Sequence, residues 1–184
     1  MSLRDDAVRV RESALCLVDE ASVAAAFDRL AAQITSDYAE LDPIILCVMN
    51  GGLFPTAELT RRLDFGFEQD YLHATRYRSG TQGRGLVWKR QPDGQNIADR
   101  HVLVVDDILD EGHTLVAIRK ALEDFSPLSL KVAVLAEKKH ERRAEGAHAE
   151  YIGVSVDDYY VFGCGMDYKE YWRQLPAIYA VNPE

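Results

Sequence analysis

Three mostly apolar runs constrain this chain more than any other feature: PIILCVM at 43–49, HVLVV at 101–105 and LSLKVAVLAEK at 128–138. Each has the length of a strand. None shows the strict alternation of a half-exposed strand, so both faces of each must be covered. Helical patterns lie between them. In SVAAAFDRLAAQITSDYAEL (22–41), Val23, Phe27, Leu30, Ile34, Tyr38 and Leu41 share one face, with Ser22 placed to cap the start. LFPTAELTRRL (53–63) reads as a helix, and TLVAIRKALEDF (114–125) puts Leu115, Ile118, Leu122 and Phe125 on one side. Further strands are expected in FEQDYLHATR (67–76), LVWKR (86–90), EYIGVSV (150–156), YYVFGCG (159–165) and AIYAV (177–181). PDGQ (92–95) marks a turn, and the glycine-rich RSGTQGRG (78–85) reads as a mobile loop. Apolar strands alternating with helices imply an α/β fold, with a central, mostly parallel sheet covered by helices on both faces.

In such a sheet the ligand binds beyond the carboxyl ends of the strands. NGG (50–52), DDILDEGHT (106–114) and EKK (137–139) all fall there. The second is chemically the most unusual, because Asp106, Asp107, Asp110 and Glu111 crowd the end of a buried strand. A buried carboxylate costs several kcal/mol unless it is paired. One or two acids are explained by helix capping, which the macrodipole favours; four call for a ligand. Gly112 permits a tight turn, after which the N–H groups of a helix starting near Thr114, and the Thr114 hydroxyl, point at an anion. The Walker A spacing is absent. Asp106 and Asp107 can accept from two sugar hydroxyls or hold a hard cation. Asp110 is placed to act as a general base on a group held above the sugar. The residues alone therefore point to a phosphate- and sugar-binding site.

Composition narrows the partners. A net charge of −9 over 184 residues argues against general affinity for nucleic acid or an anionic membrane, while leaving room for a local basic pocket. Cys16, Cys47 and Cys164 lack metal-ligand spacing and read as buried, reduced thiols of a cytoplasmic protein. MSLRDDAVRVRESALCL is charged throughout and has no apolar core of a signal peptide, and no later run is long enough to span a bilayer.

VLVVDDILDEGHT (102–114) closely resembles the phosphoribosyl-pyrophosphate motif of type I phosphoribosyltransferases. VMNGGLFPTAEL (48–59) resembles the first active-site loop of the 6-oxopurine (hypoxanthine-guanine) branch, and YYVFGCGMDYKEYWRQLP (159–176) its purine-binding segment; LAEKK (135–139) falls where that branch has its base-reading lysine. The resemblance covers roughly residues 40–181. It implies one phosphoribosyltransferase domain over 1–184, in which an N-terminal helical part (1–40) and residues 150–184 contribute a small hood over the purine. It also implies transfer of 5-phosphoribosyl from phosphoribosyl pyrophosphate to hypoxanthine or guanine, giving IMP or GMP, in a cytoplasmic homodimer or homotetramer that uses magnesium (Mg2+).

The resemblance carries roles onto particular residues. Asp106 and Asp107 would hold the ribose hydroxyls, partly through magnesium, and Asp110 would take the proton from purine N7. The backbone of Glu111, Gly112, His113 and Thr114, with the Thr114 hydroxyl, would bind the 5′-phosphate. Lys138 would donate to the purine 6-oxygen, with neighbouring Lys139 the alternative. Tyr160 would stack on the base and the Val161 main chain would read its edge. Asp167 would bind a second magnesium, and Arg173, Asn50 and Gly51 would contact pyrophosphate; a cis peptide between Met49 and Asn50 fits that loop. Tyr77 would belong to a closing lid.

This chain departs from the pattern at several points. Glu111 stands where many relatives have Thr or Ser, and is expected to turn its carboxylate outward. Asn50 replaces a lysine found in some relatives, and Arg76 and Arg78 are the expected source of the missing charge. His73, His101, His140 and His148 read as structural or exposed, and Trp88 and Trp172 as core or interface aromatics. Two other readings compete. One is a phosphoribosyltransferase preferring xanthine. The other is a non-catalytic regulator that senses a nucleotide or RNA on the same fold; the intact Asp110 and the acidic charge weigh against it.

Overall fold

A computed structural model describes residues 2–76 and 86–182. The expectations for Tyr77, Arg78, the loop 78–85 and the side chain of Arg76 lie outside the described residues. Among the described residues no helix is long and apolar enough to cross a membrane.

The three apolar runs become the middle of the sheet, as β2 (Pro43–Val48), β5 (His101–Leu109) and β6 (Ser129–Lys139). With β3 (Glu68–Arg76), β4 (Leu86–Arg90) and β7 (Tyr151–Asp157) they form six strands in the order β4-β3-β2-β5-β6-β7. Every neighbouring pair is parallel except β3 and β4. Successive side chains of a strand point to opposite faces. Thus Val102 and Val104 pack with Ile118 and Leu122 of α4 (His113–Glu123), while Leu103 and Val105 join Phe27, Leu30 and Ile34 of α2 (Glu20–Tyr38) and Leu59 of α3 (Leu53–Thr60). Each buried leucine or valine contributes about 1.5–3 kcal/mol, so this two-sided core is what fixes the strand order and the position of its carboxyl ends.

Several boundaries differ from the sequence reading. The start of α2 is capped three residues earlier than expected, because the Asp19 carboxylate, not Ser22, caps it by accepting from the Ser22 N–H (2.8 Å). Ser22 is therefore inside the first turn, and Leu41, beyond the helix end at Tyr38, is exposed. β5 does not stop at Val105. β6 continues beside it, pairing Asp106 with Val134 and Ile108 with Ala136, so Asp106 and Asp107 belong to the strand itself.

YYVFGCG and AIYAV contribute only the short strands β8 (Val161–Phe162) and β9 (Ile178–Ala180), and these leave the main sheet. They form a separate antiparallel sheet, β1-β9-β8, with β1 (Leu15–Val18), a strand the sequence reading missed; α1 (Leu3–Ser13) falls within the N-terminal part expected to be helical. The hood is thus built from both ends of the chain. Tyr168 and Lys169 donate to Asp6 Oδ2 of α1 at 2.9 and 2.7 Å, and Trp172 Nε1 donates to the Ala7 carbonyl at 2.7 Å. α1 therefore braces the loop between β8 and β9 from behind. Cys47 and Cys164 are buried, whereas Cys16, on β1, is exposed; Leu17 and Val18 of the same strand pack against the core.

Candidate active site

The acids of β5 are held by their own backbone. Asp106 Oδ1 accepts from the Asp107 N–H (2.9 Å) and Asp107 Oδ1 from the Ile108 N–H (2.7 Å). Burial, and next the neighbouring charge of Asp107, push the Asp106 carboxyl well above the usual carboxylate range; burial also raises Asp107, and the Arg173 charge opposes both shifts. Two adjacent, partly buried carboxylates, short of positive charge, make an all-oxygen donor set that suits a hard divalent cation.

After β5 the chain turns through Asp110, Glu111 and Gly112. Gly112 has φ 78°, a left-handed conformation, and a methyl group there would meet Ala147 Cβ at 2.4 Å. No side chain caps α4, so its first N–H groups are left for a ligand. They open into a cavity of about 980 Å3 lined by Gly51, Asp106, Asp107, Asp110, Glu111, Gly112, His113, Thr114 and Arg173, among others. The Glu111 side chain is half exposed, with its oxygens 3.7 Å from His113 Nε2 and 3.9 Å from Arg142 Nε.

A second cavity of about 350 Å3 adjoins the first and is lined by Asp107, Ile108, Asp110, Lys138, Tyr160, Val161, Met166 and Asp167. Its size and its mixed apolar and polar walls suit one flat heterocycle. Tyr160 is exposed at its mouth and packs edge-on against Tyr168, with ring centres 5.5 Å apart. Lys138 reaches in, whereas Lys139 faces solvent. At the junction of the two cavities Lys138 Nζ donates to Asp110 Oδ2 and His140 Nε2 bonds Asp110 Oδ1, each at 2.7 Å. Burial raises the Asp110 pKa, but the hydrogen bonds from Lys138 and His140, together with the Lys138 charge, outweigh it and hold the group below the usual carboxylate value.

Of the two alternatives for His140, structural or exposed, the structure excludes the exposed one. Its side chain is 4% exposed and touches the central acid of the site. The available signal was its spacing, two residues after Lys138 at the end of a strand, where positions i and i+2 share a face.

The remaining residues gather around Arg173. Its guanidinium donates to the Gly165 carbonyl (2.8 Å) and pairs with Asp167 (2.7 Å) and Glu170 (3.0 Å). The peptide between Met49 and Asn50 is cis. Met49 and Gly51 line the larger cavity, and Asn50 between them does not. Among the described residues Asp106, Asp107 and Asp167 form no cluster of three metal-ligand atoms; the one such cluster is Asp110, His140 and Asp158, within 4.8 Å. Lys138 already neutralises Asp110 there, and Arg142 grips Asp158 at 2.7 and 3.0 Å, so its carboxylates are already paired.

Residues 17–170 match the phosphoribosyl transferase domain family. The chain is 35% identical over 168 residues to the hypoxanthine-guanine phosphoribosyltransferase of Streptococcus pneumoniae, covering 91% of this chain and 93% of that one. It is 37% identical over 149 residues to the hypoxanthine-guanine-xanthine phosphoribosyltransferase of Tritrichomonas foetus, covering 81% of each. A crystal structure of a hypoxanthine-guanine phosphoribosyltransferase from Bacillus anthracis superposes with a TM-score of 0.82 at 29% identity, covering 91% of this chain and 97% of that one.

Proposed function

The chain belongs to the phosphoribosyl transferase domain family, and on that premise we propose that it is a purine salvage enzyme. It transfers 5-phosphoribosyl from phosphoribosyl pyrophosphate to hypoxanthine or guanine, giving IMP or GMP and pyrophosphate. The observation that carries this reading is the place of Asp110, which lines both the larger polar cavity and the smaller, flat-ring cavity. A general base for this reaction must reach a purine and a sugar phosphate at once.

In this reading the N–H groups of Glu111, Gly112, His113 and Thr114, with the Thr114 hydroxyl, bind the 5′-phosphate. Asp106 and Asp107 orient the ribose hydroxyls. Lys138 donates to the 6-oxygen, Tyr160 covers the ring, and the Val161 main chain reads its edge. Gly51, Asn50 and Arg173 take the pyrophosphate. Purine N9 attacks C1′ as the C1′–oxygen bond breaks, with its electron pair leaving on pyrophosphate. The N7 proton goes to Asp110, and its electrons stay in the ring. Positive charge gathers on the sugar near Asp106 and Asp107, and negative charge on the leaving group near Arg173. Asp106 and Asp107 would hold one Mg2+, which takes one or two protein carboxylates and completes its shell with water and substrate oxygens, and Asp167 would hold a second at the pyrophosphate. When bound, it would neutralise charge on the leaving group. Tyr77, outside the described residues, is assigned to a lid that excludes water. The same reading takes residues 1–184 as one cytoplasmic transferase domain that assembles as a homodimer or homotetramer.

A turnover assay tests the proposal. Protein, magnesium and phosphoribosyl pyrophosphate are mixed in turn with hypoxanthine, guanine, xanthine and adenine. Nucleotide from hypoxanthine or guanine, and none from adenine, is the expected result; transfer to adenine alone would overturn it. The Tritrichomonas foetus relative is named for xanthine as well, which favours a second reading with xanthine among the substrates, and the same assay measures it.

A further inference from the structure

His140 has no role in the reaction as proposed, yet it is the most buried titratable side chain touching Asp110. Its two ring nitrogens have different partners. The backbone N–H of Arg142 donates to Nδ1 at 3.1 Å, which requires a lone pair there. The ring proton then sits on Nε2, which faces Asp110 Oδ1 at 2.7 Å and donates to it. The charged groups around the ring are Asp110, Lys138 behind it, Arg142 and Asp158, and the last two are paired with each other.

We propose that His140 is a positioning residue for the transfer reaction: fixed in its Nε2–H tautomer by the Arg142 N–H, it keeps Asp110 Oδ1 occupied. Asp110 Oδ2, which Lys138 fills in the empty site and gives up to an entering purine, is then the oxygen that faces N7–H. This inference rests on the reading of Asp110 as the base for purine N7. Lys138 carries its ammonium on a flexible stem, which lets it turn from Asp110 towards the 6-oxygen of an entering base. Once it leaves, a carboxylate has a broad, two-fold torsion and turns freely unless another group holds one oxygen. His140, walled in by its burial and its backbone bond, does not move with the substrate. A neutral donor also takes less basicity from the carboxylate than an ammonium does, so Asp110 becomes a better base as Lys138 departs.

Two variants and one spectrum test this. His140→Ala removes the donor, whereas His140→Gln keeps a neutral N–H near the position of Nε2. Turnover of hypoxanthine by His140→Ala is expected to fall by about tenfold or more, with KM for phosphoribosyl pyrophosphate within about twofold of wild type. The acid limb of its pH–rate profile moves to higher pH. His140→Gln restores most of the turnover and returns the limb. Unchanged turnover and an unmoved limb in His140→Ala, or a glutamine variant no better than alanine, overturns the proposal. Imidazole 15N spectra of the wild type at pH 8, with His140 assigned by its loss in His140→Gln, give a readout independent of activity. A single Nε2–H tautomer that changes in Asp110→Asn is expected, and an Nδ1–H tautomer contradicts the proposal. A wild type that turns over no purine while showing the expected spectrum would instead remove the transferase reading and leave the His140–Asp110 contact standing.

Discussion

A methyl group on Gly51 would lie 2.1 Å from Oδ2 of Asp107. The turn after β2 and the acidic end of β5 are packed together with no room for a side chain, and Gly165 closes the same point, since its own added methyl would lie 2.1 Å from the Gly51 carbonyl. Gly51→Ala must displace either the cis turn or Asp107, and a misplacement of about 1 Å near reacting groups costs roughly 10²-fold. We expect turnover to fall by about that factor with the melting temperature little changed, as measured by steady-state kinetics beside thermal unfolding. Full activity would mean that the Gly51 turn can shift away from Asp107 without cost.

Lys138→Ala should weaken purine binding and loosen discrimination against adenine, because it removes the one cation that, among the described residues, lines the smaller cavity and reaches Asp110. It should also change the pH profile. Burial raises the Asp110 pKa, but Lys138 and His140 hold it below the ordinary carboxylate range, and the ionised form is the active base. kcat/KM for the base falls as pH drops through that value. Without Lys138 the value rises, so the acid limb moves to higher pH. An unmoved limb, or undiminished rejection of adenine, would point to a main-chain group as the reader of the 6-oxygen.

Arg173→Lys keeps the charge but cannot donate to the Gly165 carbonyl and pair with Asp167 through one planar fork. KM for phosphoribosyl pyrophosphate should rise about tenfold, with a smaller effect on KM for the purine. Equal effects on both substrates would place Arg173 in the scaffold of the hood rather than at the pyrophosphate.

Asp6 ties α1 to the purine-facing loop. Hydrogen bonds from Lys169 first, and then from Tyr168, pull its pKa down to about 2, against a smaller upward effect of burial. The folded value lies below the unfolded one, near 3.9, so Asp6 stabilises the fold above about pH 4 and loses that contribution as pH falls towards 2. Asp6→Asn should therefore lower the melting temperature at pH 7, and the gap from wild type should narrow between pH 4 and pH 2. A gap that widens towards acid would reverse the sign of this account.

Much of this arrangement was legible in the sequence, for physical reasons. PIILCVM, HVLVV and LSLKVAVLAEK have to be covered on both faces, and that alone places DDILDEGHT on a ligand-binding rim. The parts that were not legible depend on contacts between distant residues. β1 has four residues and is a strand because Leu15 meets Ala180 across the whole chain. α1 was legible only as part of a helical N-terminus, since it buries only Asp6, Ala7 and Val10, too narrow a face to mark its bounds. Asp106 and Asp107 looked like loop residues because acids seldom continue a buried strand; they do so here because β6 extends alongside. The Asp110–His140 contact spans 30 positions, and only the parallel pairing of β5 with β6 brings it about.

Asp110→Asn bears most directly on the central claim, that a single carboxylate between two cavities performs the proton transfer. Titration calorimetry with phosphoribosyl pyrophosphate and magnesium should give wild-type affinity for this variant, while turnover of hypoxanthine or guanine falls by about 10²–10⁴-fold. Wild-type turnover in Asp110→Asn would contradict the claim and move the base elsewhere in the site.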